Sequence, residues 1–293
     1  MNTETLFVSF SGGRTSAYMC HYLITNWRHK FNLIFVFANT GLECEGTLEF
    51  VDKCDREWGL NLAWVEAKVN PTTGAPIEHR LVDFVSASRN GEPFRDVCAK
   101  HGVPNSDRPF CTQYLKTYVI NAYKHDCGYG RQHKTAIGIR ADEFDRMNHA
   151  QLESGSVIYP LISMKHTTKS DVLLFFMDNH FDLDIDERFG NCVTCFKKSD
   201  RHLMTIAKHN PGAFNFNRDM EERYGLIKDA SGGVCKDGDP YRFFRGNKSA
   251  DDIIAMSKSP FIEFDPKITE CQLSLDIDPL DEVGDCGGRC EAF

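Results

Sequence analysis

The 293 residues carry 41% hydrophobic and 26% charged side chains, enough for one sizeable α/β core with an appendage and too balanced for a disordered or fibrous chain. Net charge is −8 and sits at the end: residues 263–293 hold nine acidic side chains against Lys267 and Arg289, which argues against nonspecific binding of duplex nucleic acid. No basic and apolar leader opens the chain, and no apolar run approaches the roughly 18 residues of a membrane span; the expectation is a soluble cytoplasmic protein without a membrane partner, whose twelve cysteines act as ligands or catalysts rather than disulfides.

Leu6–Phe10 is short, apolar and β-rich, and a Gly-Gly turn ends it. Thr15 to Trp27 reads as a helix that turns Ala17, Met19, Tyr22 and Leu23 toward a sheet. Leu33 to Phe37 is a second buried strand, Thr47 to Trp58 a second helix, and Leu62 to Val65 a third strand. Residues 68–110 are irregular, with a helix expected near Ile77 to Ser86. Thr112 to Lys124 is a helix, Thr135 to Ile139 a strand, Val157 to Leu161 an edge segment, and Thr168 to Asn179 a capped helix. Helical stretches follow near 201–208, 219–224 and 250–257.

This alternation predicts an α/β fold: a parallel-rich sheet with helices on both faces, and a smaller, mostly helical C-terminal region. Right-handed crossovers bring the loops after residues 10 and 38 to one carboxyl edge, where such sheets bind ligands. The expected division is a sheet domain over 1–180, a helical region around a cysteine pair over 181–262, and an acidic, cysteine-containing tail over 263–293.

Ser11-Gly12-Gly13-Arg14-Thr15-Ser16 places consecutive backbone N–H groups, hydroxyls and one guanidinium at a helix start. Glycine lets the backbone approach oxygens and a helix N-terminus favours an anion. The same residues also suit a plain tight turn, and the spacing is not that of the nucleoside-triphosphate P-loop. Cys192-Val-Thr-Cys195 lets two thiolates share one centre, and it equally fits a redox pair or structural zinc.

SFSGGRTSAYM resembles the pyrophosphate loop, or PP-loop, of the ATP-pyrophosphatase and phosphoadenylyl-sulfate reductase superfamily. The resemblance extends in order through Asn39-Thr40-Gly41 with Thr47, Cys111-Thr112-Gln113-Tyr114-Leu115-Lys116, Gly138-Ile139-Arg140-Ala141-Asp142-Glu143 and Tyr159-Pro160-Leu161, over about two-thirds of the chain. Thr15 departs from it, standing where Asp is usual. The resemblance implies an adenine nucleotide α-hydrolase-like fold. It puts phosphates on Ser11, Gly12, Gly13, Arg14, Thr15 and Ser16, and base or ribose near Asn39, Thr40 and Gly41. Lys116 and Arg140 become charge donors to a phosphate or sulfate.

The spacing of Cys111 from Cys192 and Cys195 resembles that of the iron–sulfur adenylyl-sulfate reductases, with their first cysteine pair reduced to Cys111 alone. The resemblance implies a 4Fe-4S cluster, ahead of zinc or a metal-free pair, with Cys98, Cys286 or Cys290 as fourth ligand or one iron left open. Asp285-Cys286-Gly287 resembles the tail that carries the nucleophilic cysteine of sulfonucleotide reductases, with Cys290 as an added thiol. The leading expectation is a reductase-like oxidoreductase acting on a sulfonucleotide with a thiol reductant. The first alternative is an ATP-dependent sulfurtransferase that uses magnesium and a sulfur donor to modify an adenylylated acceptor; the second is a non-catalytic nucleotide-binding partner subunit. A homo-oligomer is compatible with each.

Overall fold

The computed structural model describes residues 4–130, 133–190, 192–228, 233, 235 and 238–265. Cys286 and Cys290, with the acidic tail from 266 onward, lie outside the described residues.

The chain begins β1 (Glu4–Ser9), α1 (Arg14–Asn26), β2 (Phe31–Asn39), α2 (Glu45–Trp58) and β3 (Ala63–Val69). It continues with β4 (Ile77–Val82), α3 (Glu92–His101), a π-helical turn over Gln113–Thr117 that runs into α4 (Tyr118–Asp126), and β5 (Thr135–Ala136). Then come α5 (His149–Glu153), β6 (Val157–Ile158), α6 (Pro160–Ser163) and α7 (Lys169–Asp178), followed by α8 (Asp200–His209), α9 (Asn215–Tyr224) and α10 (Ala250–Met256). The strands form one sheet in the order β4-β3-β2-β1-β5-β6. All neighbours are parallel except β3 and β4, which pair antiparallel from Trp64 opposite Val82 to Val69 opposite Ile77.

The carboxyl halves of the central strands β1 and β2 are mostly apolar because both faces are covered there. Leu6, Val8 and Phe10 alternate with Phe7, as Phe35 and Phe37 alternate with Val36 and Ala38, so successive side chains enter two separate cores. The first core is closed by Ala17, Cys20 and Leu23 of α1, Leu48 and Val51 of α2, and Val172 and Phe176 of α7. The second takes Val97 of α3 and Val119 of α4 together with Leu203, Ile206, Met220 and Ile253 from α8, α9 and α10. The helices after residue 180 thus cover one face of the same sheet.

The helix expected over Ile77–Ser86 is instead the edge strand β4. Ile77 is buried and His79 half-buried while Glu78 and Arg80 between and after them are exposed, a strand's period of two that lapses at exposed Leu81 near the end of this edge strand. The helix of this region is α3, opened by Pro93 in its first turn and closed by Gly102. Among the described residues no helix is long and apolar enough to cross a membrane.

Candidate functional site

The loop after β1 is stitched by its own hydroxyls. Ser16 Oγ donates to Gly13 O at 3.0 Å, accepts from the Ser11 amide at 3.1 Å and lies 2.8 Å from Ser11 Oγ. Gly12 has φ +85°, and a Cβ there would lie 2.7 Å from Thr47 Cγ2. Only glycine suits both the left-handed backbone and this approach to α2. No side chain caps α1, whose first turn holds no acidic residue, so its N-terminal amides remain a place for an anion.

The whole stretch from Ser11 to Ser16 lines a cavity of about 300 Å³ at the carboxyl edge of the sheet. Lys116, Arg140, Arg146 and Lys169 also line it, as do Glu43 and Glu143. Arg140 Nη1 donates to Thr15 Oγ1 at 3.0 Å, so the threonine that replaces the usual aspartate faces a guanidinium. Glu143 lies 3.3 Å from Arg140 Nη1 and accepts from Arg146 Nη1 at 2.5 Å, setting the two arginines side by side. Glu43 accepts from the Thr40 amide at 3.0 Å, Thr40 Oγ1 at 2.8 Å and the Leu42 amide at 3.2 Å. Glu43 is thus held by donors of its own turn, whereas Glu143 Oε2, buried beside the two arginines, accepts no hydrogen bond among the described residues.

Asn39, Thr40 and Gly41 are placed differently from residues 11–16. Asn39 is fully buried and none of the three lines this cavity; Thr40 instead borders a second, smaller one of about 40 Å³. Cys111, Cys192 and Cys195 line that second cavity together, with Leu115, Lys116 and Phe243. Thr40 Oγ1 lies 3.8 Å from Cys192 Sγ. Lys116 and Cys192 border both cavities, so the two spaces share a wall. The π-helical turn puts Lys116 there, just after Cys111, and such turns often mark functional sites.

Cys98 lies within the apolar core against which Cys111 packs, and it is not among the cavity's lining residues. Burial, reinforced by the charge of Cys111, pushes the Cys98 thiol well up. Among the described residues no three Cys, His, Asp or Glu side chains sit close enough to hold a single metal ion.

Residues 11–16, Lys116 and Arg140 meet at one cavity, and the three cysteines meet at the next. Glu43, Arg146 and Lys169 join them without having been singled out in the sequence. Arg146 follows Glu143 of the 138–143 motif by three residues, and Lys169 directly follows the capping threonine of α7.

The profile of the phosphoadenosine phosphosulfate reductase domain matches residues 5–165. The uncharacterized nin region protein ORF290 of Escherichia phage lambda is 34% identical over 209 residues, 70% of this chain and 70% of that protein. The uncharacterized protein MJ0973 of Methanocaldococcus jannaschii is 24% identical over 232 residues, 75% of this chain and 48% of its own length, so the chain spans about half of that relative. The structure of a U34-tRNA thiolase, NcsA from Methanococcus maripaludis with its 4Fe-4S cluster, aligns with 88% of this chain and 72% of its own at a TM-score of 0.41 and 14% identity. By its matched profile, the chain belongs to the phosphoadenosine phosphosulfate reductase domain family.

Proposed function

We propose that this protein is a phosphoadenylyl-sulfate reductase-like enzyme that holds an adenine nucleotide on residues 11–16 and carries out sulfur chemistry at a centre formed by Cys111, Cys192 and Cys195. The observation that carries this reading is the shared wall: Lys116 and Cys192 border both the phosphate-loop cavity and the cysteine cavity. A group attached to the nucleotide's phosphates would thus lie between the cationic cluster and the thiols.

The amides at the start of α1 take phosphate oxygens, while Arg140, Arg146, Lys169 and Lys116 offset their charge. A 4Fe-4S cluster on the three thiolates would add electrostatic pull beside the substrate's sulfur. In the reductive reaction, Cys286 attacks the sulfonate sulfur and expels the nucleotide phosphate, leaving an S-sulfonate on Cys286. A second thiol, from Cys290 or an external reductant, then attacks Cys286 Sγ; a disulfide forms, sulfite leaves, and the two thiols supply both electrons.

The finding that three thiols line the cavity, with Cys98 set behind them, favours a second reading. A cluster with one iron unligated by protein suits ATP-dependent sulfur transfer. There ATP adenylylates a carbonyl oxygen of an acceptor such as a nucleobase, pyrophosphate leaves, and a donor's sulfur displaces AMP.

The test uses anaerobically purified protein with a thiol donor, incubated separately with ATP, adenylyl sulfate and its 3′-phosphorylated form. Sulfite release that disappears in Cys286→Ser supports reduction. Sulfite release unchanged in that variant removes Cys286 as nucleophile. Pyrophosphate release only with an added nucleobase acceptor moves the assignment to sulfur transfer.

A further inference from the structure

The phosphate loop carries one guanidinium, and its bonds lead away from the loop. Arg14 Nε donates to Asp182 Oδ1 at 2.7 Å, and Nη2 donates to Asp182 Oδ2 at 2.9 Å and to the Leu183 carbonyl at 2.8 Å. Such a two-point contact is the fork's strongest mode of binding an oxyanion, and here a carboxylate of the same chain occupies it. The carboxylate also offsets the charge that Arg14 would present to a phosphate.

Asp182 opens the stretch 182–190, which leads from the end of α7 to the cysteine turn. Leu183, Ile185 and Gly190 of this stretch wall the nucleotide cavity, as does Cys192 just beyond it. Its middle is pressed against α2: a Cβ on Gly46 would lie 2.8 Å from both Asp184 O and Ile185 Cγ2. Toward its far end Arg188 O accepts from Lys198 Nζ at 3.0 Å and from His202 Nε2 at 2.8 Å. Lys198 also donates to Val193 O at 3.0 Å, joining the end of the stretch to the turn between the paired cysteines. The Arg14–Asp182 contact is thus the fastening at the near end of a strap whose far end carries a thiol.

We propose that Arg14 and Asp182 form a positioning pair: by holding the strap 182–190 against the phosphate loop they set one wall of the nucleotide cavity and the place of Cys192, and the Arg14 guanidinium is not itself a phosphate ligand. This builds on the reading of the cavity as a nucleotide site. Phosphate binding then falls to the loop amides, to Lys116, Arg146 and Lys169, and to Arg140, whose Nε and Nη2 are held by Asp142 while Nη1 stays on the loop at Thr15.

The experiment compares wild type, Arg14→Gln, Asp182→Ala, the double variant and Asp182→Glu as full-length chains. Hydrogen exchange of peptides within 183–190 is measured without nucleotide, and binding of ATP and of adenylyl sulfate is measured by calorimetry. A pair acting as one unit predicts that both single variants raise exchange, Arg14→Gln at least as much because it also loses the Leu183 carbonyl, and that the double variant adds nothing to Arg14→Gln. It also predicts that nucleotide binding weakens in step with exchange, about fivefold for a half-exposed pair, and that Asp182→Glu recovers most of both. A loss of nucleotide affinity in Arg14→Gln well beyond that in Asp182→Ala, with strap exchange raised no further than in Asp182→Ala, would show the guanidinium on the phosphate and overturn the proposal. Unchanged strap exchange in Asp182→Ala would overturn it as well. Absence of nucleotide binding by the wild type would remove the nucleotide reading, and with it the positioning role, even where nucleotide-free exchange still registers the contact.

Discussion

The side-chain amide of Asn39 donates to the carboxylate of Glu66 at 2.6 Å, with both residues fully buried at the end of β2 and on β3. Glu66 also accepts from the Ser88 amide at 2.6 Å and from Arg80 Nε at 2.8 Å, while Asn39 Oδ1 takes the Gly41 amide at 3.1 Å. One carboxylate therefore shapes the Thr40-Gly41 turn from beneath, and Thr40 in turn borders the cysteine cavity.

Glu66→Gln keeps the shape and removes the charge that Asn39, Ser88 and Arg80 converge on. The expected loss is about 2 kcal/mol in urea unfolding, below that of a fully buried ion pair because Arg80 is half exposed. A loss within about 0.5 kcal/mol, the range of an ordinary surface change, would show that the carboxylate does not support the turn.

The two loop glycines should respond differently to a methyl group. Gly12→Ala forces φ +85° on alanine and drives Cβ to 2.7 Å from Thr47, whereas a Cβ on Gly13 meets nothing closer than Ser11 Oγ at 3.9 Å. We expect Gly12→Ala to destabilise the fold by about 2 kcal/mol and to abolish nucleotide binding. Gly13→Ala should fold normally, with any deficit confined to nucleotide affinity. Equal melting temperatures for the two variants would contradict this account.

The parallel sheet was legible because the carboxyl halves of β1 and β2 are mostly apolar and are followed by helices with an apolar stripe, and periodicity reports directly on two covered faces. Local signals marked the turn after β1, whose glycines, hydroxyls and helix start lie within six residues, but they suit a plain tight turn as well, and its reading as a phosphate site came from the family resemblance. The edge strand β4 was misread because Ile77–Val82 is short and mixed, and its pairing with β3 is a long-range choice that no local pattern contains. The family resemblance set Asn39 near the base or ribose, whereas the structure buries its side chain beneath the turn. Its burial comes from Glu66, 27 residues away. Glu43, Arg146 and Lys169 carry no motif of their own and become site residues only when α2, α7 and the 141–146 turn are folded around the loop.

Lys124 gives a pH dependence with a defined sign. It is almost fully buried, donates to Thr135 Oγ1 at 2.5 Å and lies 5.0 Å from the Phe7 ring centroid; burial pulls its pKa down from 10.5 to about 8. Between about pH 8 and 10.5 the unfolded chain holds a proton that the folded one has released, so this residue makes stability rise with pH across that window. Lys124→Met should remove the rise. The check is the difference in urea midpoint between wild type and variant from pH 7 to 10; a constant difference would mean that the buried ammonium does not titrate there.

The cysteine centre predicts a graded response in iron content. Cys111→Ser, Cys192→Ser and Cys195→Ser each remove a thiolate from the common cavity, and each should lose most of the iron and labile sulfide found after anaerobic purification. Cys98→Ala should retain both, because its thiol lies in the core behind Cys111, and burial holds that thiol in its protonated form. Iron lost in Cys98→Ala, from a protein that still melts like the wild type, would make Cys98 the fourth ligand and close the open position that favours sulfur transfer. Zinc in place of iron in the wild type would remove the cluster altogether and leave the three thiols to a different chemistry.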